Sequence, residues 1–280
     1  MILNLLKNLN LLKKMNQYKS YAKVNRFIHV LKKRADGYHD IQSLFQLIDL
    51  SDSISFKKRK DDKILIKSNI RELERKNIMF DTISLIKKKY PKKNIGLDIE
   101  LKKQIPLGSG LGGGSSNAAT TLRAINSMYK LDMKKHKLLS LASELGSDVP
   151  FFVNQQNAWV EGKGDIITNI HIQSCAFILI FSKHAISTKD IYQSIKLHDK
   201  SSDCSYEDFL NGNTSNSFEY YVFKNYPSIK KAARTLSNFG QAHMTGTGGT
   251  IFLPEHDYER AKEILKKLPQ KYDTKLVSSL

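Results

Sequence analysis

Apolar residues follow two kinds of spacing along this chain. From residue 21 to residue 30 they alternate with polar residues, which is typical of a strand with one buried face. Similar alternation or short apolar runs predict further strands over residues 45–56, 63–67, 95–101, 151–160, 175–181 and 250–253. Apolar residues three and four positions apart predict helices over residues 77–89, 115–129, 134–145, 189–196, 228–238 and 258–268.

The order of these elements indicates the fold class. Strands and helices are mixed without the regular alternation of a doubly wound sheet, so an α+β fold with two lobes is predicted. We expect residues 1–17 to form a poorly ordered extension, residues 18–155 one domain and residues 156–280 a second. A polar stretch, residues 199–217, is predicted to be a loop or the seam of the second half.

Charge and cysteine content narrow the choice of ligand and compartment. The formal net charge is +18, and most of the excess lies in residues 1–150, which suits a polyanionic small molecule or a nucleic acid. The lysine runs are scattered and mostly without aromatic neighbours, so we interpret them as solvated surface. Cys175 and Cys204 are far apart and form no metal-binding spacing, which indicates a reducing compartment. No apolar stretch reaches the roughly 18 residues of a membrane span.

A glycine-rich segment carries the strongest chemical signal. Five glycines lie in the seven positions from Gly108 to Gly114, and Ser115, Ser116 and Asn117 follow where a helix is predicted to begin. Glycine lets backbone N–H groups approach a bulky anion, and a helix N-terminus attracts negative charge. The segment therefore predicts a phosphate-binding loop.

Two common kinds of phosphate loop do not fit these residues. A Walker A loop needs a lysine after its last glycine, and none is present. A dinucleotide-binding loop must follow a strand directly, but residues 102–106 separate the predicted strand from the glycines. Asp132, which lies where the acidic residue of that fingerprint would fall, follows a predicted helix rather than a second strand.

A third kind of loop does fit. Residues 106–119 resemble the phosphate loop of the GHMP small-molecule kinases. Other segments similar to that family follow in the expected order, so the resemblance runs from about residue 19 to residue 253. These segments lie at residues 21–25, 35–46, 145–152, 186–192 and 243–250. The resemblance implies a two-lobed fold, with ATP mostly on the first lobe, the substrate side on the second and the active site in the cleft between them.

The resemblance also implies which residues bind the nucleotide and perform the chemistry. The expected ATP-binding residues are Asn77, Pro106, Leu107, Gly108, Ser109, Gly110, Leu111, Gly112, Gly113, Gly114, Ser115 and Ser116. Asp148 is expected to be the catalytic base, projecting from a corner between a helix ended by Gly146 and an extended segment. Lys23 is expected to offset charge on the transferred phosphoryl group. The expected cofactors are ATP and Mg²⁺, with Ser116 as a protein ligand of the ion.

The segment around Tyr38 and His39 points to one branch of this family. It resembles the kinases that act on 4-diphosphocytidyl-2-C-methyl-D-erythritol in non-mevalonate isoprenoid synthesis, where these residues contact the cytidine. Tyr192 is expected to stack on the same base. The expected substrate-binding residues are Asn25, Tyr38, His39, Thr188, Tyr192, Gly246, Thr247 and Gly248.

Two alternatives remain open at this point. One is a GHMP kinase for another alcohol, such as homoserine or mevalonate, which would leave Tyr38 and His39 unexplained. The other is a basic RNA-binding domain, which would leave the glycine loop unexplained. We expect a small-molecule substrate, no nucleic-acid or membrane partner, a monomer or weak homodimer, and a cytoplasmic location, since residues 1–20 show no clear targeting pattern.

Overall fold

The computed structural model describes residues 15–184, 186–195 and 203–280. The expected extension over residues 1–17 lies almost wholly outside this range. The helices are α1 (Ile78–Lys89), α2 (Gly113–Tyr129), α3 (Lys135–Leu145), α4 (Val149–Asn154), α5 (Thr188–Ser194), α6 (Tyr206–Leu210), α7 (Glu219–Asn225), α8 (Pro227–Ser237) and α9 (Tyr258–Lys267). The strands are β1 (Asn16–Lys33), β2 (His39–Lys58), β3 (Ile64–Ser68), β4 (Leu97–Lys102), β5 (Ala158–Glu161), β6 (Ile166–Asn169), β7 (Ala176–Phe181), β8 (His243–Met244), β9 (Thr250–Glu255) and β10 (Asp273–Ser278).

The chain divides into two compact units made of interleaved segments. The first unit comprises the segments Met1–Ser20, Ser51–Gln104 and Gly114–Val153. The second unit comprises the segments Tyr21–Leu50, Ile105–Gly113 and Asn154–Leu280. The contiguous domains expected from the sequence, with a boundary near residue 155, stay a prediction.

In the first unit, strand β4 pairs with β3 in parallel and with the end of β2 in antiparallel fashion. Leu97, Ile99 and Leu101 alternate along β4 and are buried, as a strand with one face on a core requires. Helix α1 buries residues three and four positions apart, and the side chain of Asn77 caps it by accepting from the Met79 N–H.

In the second unit, β10, β7, β9 and β8 form a four-stranded sheet in that order. Every residue of β7 except the last is buried, because neighbouring residues point into separate cores on opposite faces. Phe177 and Leu179 pack into one core, whereas Ile178 and Ile180 pack into the other. Helices α8 and α9 pack against this sheet.

Most predicted elements are confirmed to within two or three residues, strands β1 and β2 begin five and six residues earlier than predicted, and two predictions are wrong. The strand predicted over residues 151–160 is helix α4 followed by the short strand β5. A continuous apolar run has neither period, and Pro150 is tolerated in the first turn of a helix. The loop predicted over residues 199–217 contains helix α6, which Ser205 and Asp208 begin with a capping box. Strands β6, β8 and β10 and helix α7 were not predicted.

Candidate active site

The glycine-rich segment forms a tight loop that runs directly into helix α2. Leu111 anchors it, because its side chain is fully buried and its carbonyl accepts from the Lys23 N–H at 3.1 Å. The Ser109 hydroxyl closes the loop on itself by donating to the Pro106 carbonyl at 2.7 Å. The predicted phosphate loop is thus held in one shape by an apolar anchor and internal hydrogen bonds.

A second glycine turn, residues 245–249, packs backbone to backbone against this loop within the second unit. A Cβ atom added at Gly110 would lie 2.4 Å from the Thr245 carbonyl oxygen, and Gly110 has a φ of +76°. A Cβ atom added at Gly249 would lie 2.8 Å from the Gly108 carbonyl oxygen. Only glycine permits this approach at these positions. The structure therefore brings together two turns that lie far apart in the sequence.

Strand β1 places two predicted site residues beside these turns. Lys23 and Asn25 are both buried, and the Lys23 ammonium donates to the Asn25 side-chain oxygen. The Asn25 backbone N–H donates to the Thr245 hydroxyl at 2.8 Å, and its side-chain amide donates to the Ser43 hydroxyl at 3.0 Å. Asn25 thus fixes the position of the lysine ammonium and ties β1 to the second glycine turn.

Two residues that the sequence did not single out also hold the second glycine turn. The Asn216 side-chain amide donates to the carbonyls of Met244 and Gly246, each at 2.8 Å. The Glu219 carboxylate accepts from the Met244 N–H at 2.9 Å, and burial raises the pKa of this carboxyl group. Both lie in a stretch without recognisable periodicity, so no pattern pointed to them.

Among the predicted substrate residues of the second unit, four make contacts in two pairs, and Tyr38 lies apart from them. The rings of His39 and Tyr192 lie 5.4 Å apart, centroid to centroid. The hydroxyls of Thr188 and Thr247 lie 3.1 Å apart. Tyr38, in contrast, is 55% exposed. The Lys163 ammonium lies 5.4 Å from the centroid of its ring.

In the first unit, the start of helix α2 rests on a buried polar relay, defined here as Lys103, Asp52, Asn117, Ser20 and Ser116. The Lys103 ammonium donates to the Asp52 carboxylate and, at 3.2 Å, to the Asn117 side-chain oxygen. The Asn117 amide donates at 2.9 Å to both Asp52 and the Ser20 hydroxyl. The Ser20 hydroxyl donates to the Ser116 hydroxyl oxygen at 2.8 Å. Lys103, Asp52 and Ser20 were not predicted as site residues, because they come from separate segments of the chain.

The relay fixes the direction of its own hydrogen bonds. An ammonium can only donate and a carboxylate can only accept, so the amide of Asn117 has one possible orientation. The Ser20 hydroxyl accepts a hydrogen bond from that amide and donates its own to the Ser116 oxygen. Within the part of the chain that the structure describes, the Ser116 proton has no acceptor. Ser116 is therefore oriented to donate a hydrogen bond at the N-terminal end of α2.

Asp148 and Asn77 also lie in the first unit. Gly146 ends helix α3 as predicted, and Asp148 is partly buried in the turn between α3 and α4. The extended segment expected after Asp148 is wrong, since α4 begins at Val149. The Asn77 amide is engaged in capping α1, because it accepts from Met79 and donates to the Leu73 carbonyl at 3.3 Å. An adenine contact by Asn77 stays a prediction.

Comparison with known proteins identifies the class. The family described as GHMP kinases N terminal domain matches residues 77–156, and GHMP kinases C terminal matches residues 205–274. The crystal structure of a mevalonate kinase from Methanococcus jannaschii has the same fold, with a TM-score of 0.67, 18% identity and coverage of 95% of this chain and 98% of that one. The two-lobed α+β GHMP kinase fold expected from the sequence is confirmed.

Full-length relatives narrow the class to one family. A 4-diphosphocytidyl-2-C-methyl-D-erythritol kinase from Francisella philomiragia is 37% identical over 95% of this chain and 97% of its own length. The kinase of that name from Acinetobacter baylyi is 37% identical over 90% and 91%. A crystal structure of 4-(cytidine 5'-diphospho)-2C-methyl-D-erythritol kinase superposes with a TM-score of 0.83 at 26% identity, over 94% and 99%. The chain belongs to the family of 4-diphosphocytidyl-2-C-methyl-D-erythritol kinases.

Proposed function

We propose that the chain transfers the γ-phosphoryl group of ATP to the 2-hydroxyl of 4-diphosphocytidyl-2-C-methyl-D-erythritol and releases ADP. This reaction is a step of non-mevalonate isoprenoid precursor synthesis. The identity of 37% to kinases of this name, across 95% of the chain, carries the proposal. The packing of the phosphate loop against Lys23, Asn25 and the second glycine turn supports it, since these parts suit phosphoryl transfer.

The nucleotide phosphates bind at the glycine loop and the start of α2. Backbone N–H groups of the loop and the positive end of the helix dipole favour an anion there. The Ser116 hydroxyl, oriented by the relay, donates to a phosphate oxygen. Hydrogen bonds to charged groups contribute about 1.5–3 kcal/mol, so this hydroxyl is a substantial part of the nucleotide affinity.

Lys23 and Asp148 have complementary roles in the transfer. The Lys23 ammonium, held by Asn25, offsets the negative charge that spreads over the equatorial oxygens of the transferred group. Asp148 orients the attacking hydroxyl and accepts its proton late in the reaction. Both roles come from the family resemblance and are testable one residue at a time.

The cytidine part of the substrate is recognised in the second unit. The Tyr192 ring, already packed on His39 and on Phe218, offers a fixed aromatic face for stacking a pyrimidine. Tyr38 is exposed and therefore accessible to a ligand. The second glycine turn offers the substrate backbone groups of Gly246, Thr247 and Gly248. The Thr188 hydroxyl lies beside that of Thr247 in this turn.

The residues present fit a magnesium ion that arrives with the nucleotide. Among the described residues there is no cluster of three His, Cys, Asp or Glu side chains that could hold a metal. Mg²⁺ commonly keeps several waters and binds through substrate phosphates with one or two protein ligands. The Ser116 oxygen retains one lone pair and would be such a ligand. The ion would neutralise phosphate charge when bound.

The remaining expectations concern assembly and location. We keep a monomer or weak homodimer as the expected state, with no nucleic-acid partner, and sedimentation with and without RNA tests both. No helix in the described part of the chain is long and apolar enough to cross a bilayer. Both cysteines are free, which supports a reducing compartment such as the cytoplasm.

An ADP-release assay with ATP, Mg²⁺ and the diphosphocytidyl substrate tests the proposal directly. We expect turnover in the wild type and a loss of at least about 100-fold in kcat for Asp148→Asn, as is typical when a general base is removed. Asp132→Asn is the matched control, because Asp132 is exposed, and we expect its activity to equal that of the wild type. ATP binding without turnover of this substrate would contradict the substrate assignment and leave the kinase class intact.

A further inference from the structure

The second unit contains a cavity of about 430 Å³ that the proposed reaction does not use. Residues at the end of α6, in the loops after it, and on β1, β8 and β9 line it. None of the lining residues belongs to the expected ATP-binding or substrate-binding sets. The volume lies within the range of small-molecule sites in proteins, roughly 300–1,000 Å³.

Arg26, on β1, supplies the main charge on the wall of this cavity. Its guanidinium carbon lies 5.4 Å from the centroid of the Phe177 ring and 5.2 Å from that of Phe209. One terminal nitrogen, Nη1, donates to the Gln46 side-chain oxygen at 2.8 Å and contacts the Cys175 sulfur at 3.7 Å. Two aromatic rings and these bonds therefore hold the guanidinium in one place.

The positive charge of Arg26 has no counter-charge. Across residues 15–184, 186–195 and 203–280, no carboxylate lies within ion-pair distance of this guanidinium, and its Nε and Nη2 atoms make no hydrogen bond. Burial lowers the pKa of Arg26 from its ordinary value, which reflects the cost of holding the charge away from water. Solvent reaches the Nε and Nη2 atoms, so an anion from outside the chain can accept hydrogen bonds from this free edge of the guanidinium.

The other charged residues of the lining leave that edge available. Glu255 is held by Arg260 at 3.3 Å, so its charge is already balanced. Burial and the charge of Arg26 lower the pKa of His243 to about 4, so this ring is neutral near pH 7. Phe209, Tyr206 and Phe239 contribute aromatic surface to the same cavity. The lining thus combines one unpaired guanidinium and several polar side chains with the aromatic side chains of Phe209, Tyr206 and Phe239.

We propose that this cavity binds a small organic anion. A carboxylate or phosphate group would accept paired hydrogen bonds from the free edge of Arg26, for which the guanidinium fork has the matching geometry. A flat apolar body attached to that group would pack against the aromatic walls. The proposal does not depend on the substrate of the kinase reaction.

Two strands connect this cavity to the substrate-side residues of the same unit. Arg26 directly follows Asn25 on β1, and His243 lies two positions before Thr245. Asn25 and Thr245 are joined by the 2.8 Å hydrogen bond that ties β1 to the second glycine turn. Occupation of the cavity therefore places a ligand one or two residues away from this bond, which makes a change in substrate KM the expected second effect.

Calorimetric titration of the full chain tests the proposal with benzoate and phenyl phosphate as probes. Benzamide, which has the same body without the charge, is the neutral counterpart. We expect at least one anion to bind with a Kd of about 1 mM or tighter and benzamide to bind at least tenfold more weakly. Binding of only one anion identifies its head group. Binding of neither below 10 mM, or equal binding of benzamide, overturns the proposal.

Variants locate the binding. Arg26→Lys keeps the charge but loses the paired hydrogen bonds, so we expect the affinity to fall at least tenfold. Arg71→Lys, at an exposed arginine outside the cavity, is the matched control and should change the affinity less than threefold. Anion binding to Arg26→Lys as tight as to the wild type, or an equal loss in both variants, overturns the proposal.

A measurement on the wild type covers the case in which Arg26→Lys does not fold. In ¹⁵N-arginine-labelled protein, the sheltered Arg26 Nε–H should give a distinct resonance that shifts when benzoate or phenyl phosphate is added. No arginine Nε–H resonance shifting on addition of the anion that binds overturns the proposal.

Discussion

Lys103 in the first unit and Arg26 in the second are both at least partly buried cations, but only Lys103 has a carboxylate partner. Lys103 is 8% exposed and donates to Asp52, which is fully buried, and to Asn117. Arg26 is only partly buried and meets two aromatic rings, an amide oxygen and a sulfur, with no carboxylate among the described residues. One cation is compensated within the fold and the other is not.

The difference shows two uses of a buried or partly buried cation: the charge of Lys103 orients other side chains, whereas the charge of Arg26 remains available to a ligand. The pair of Lys103 and Asp52 orients Asn117, which orients Ser20 and then Ser116. The main contribution of such a buried pair is to fix the positions of its neighbours. It adds little to stability, because replacing the whole pair by apolar residues often costs little. Arg26 orients no further side chain in this way, and it lines a cavity.

The largest expected effect follows from breaking the compensated pair. Asp52→Asn leaves the Lys103 ammonium buried without a negative partner, and removing one partner of a buried pair costs about 3–5 kcal/mol. Urea unfolding should report this loss in the free energy of unfolding. Asp61→Asn is the matched control, because it breaks an exposed pair with Arg59 and should cost less than about 1 kcal/mol. Similar losses in the two variants would contradict the view that the buried Lys103 ammonium depends on Asp52.

The next effect concerns a second positive charge beside Arg26. The pKa of His243 is about 4 in the folded chain and about 6.5 when unfolded, so the unfolded state binds the extra proton first. Its contribution to stability is therefore full above pH 6.5 and is lost as the pH falls towards 4. Between pH 7 and pH 5 we expect a loss of about 2 kcal/mol from this residue.

His243→Gln removes the titrating ring and should flatten that part of the profile of unfolding free energy against pH. His136→Gln, at an exposed histidine on α3, should leave the profile as in the wild type. An unchanged slope in His243→Gln would show that the ring is not kept neutral by burial and Arg26.

The relay predicts a smaller and more specific effect on nucleotide binding. Ser116→Ala removes a donor to a charged phosphate, so we expect the KM for ATP to rise about tenfold. Ser20→Ala leaves the donor but frees its orientation, so we expect about a threefold rise with the substrate KM unchanged. Ser143→Ala, which removes an exposed hydroxyl bonded within helix α3, is the control. A larger effect from Ser20 than from Ser116 would contradict the proposed direction of the relay.

The two regions also differ in how much of them the sequence reveals. Lys23, Asn25, the glycine loop and the second glycine turn lie in compact motifs, so local residue types were enough to predict them. The relay joins residues that lie 14 to 97 positions apart, and no local pattern records such contacts. Arg26 lies beside a motif, but its missing counter-charge is a property of three-dimensional packing. Helix α4 was missed because burial on all sides erases the helical period.

The smallest expected effect on stability is that of removing the Arg26 charge. Arg26→Met removes a charge that has no partner, so no opposite charge is left buried behind it. The side chain that loses a bond is Gln46, and we expect a cost of about 1 kcal/mol in the free energy of unfolding, from urea titration. Benzoate or phenyl phosphate should stabilise the wild type but not this variant, because a ligand that binds only the folded state raises its stability. A cost as large as that of Asp52→Asn would mean that Arg26 is compensated within the fold after all, and that its free edge serves the architecture rather than a ligand.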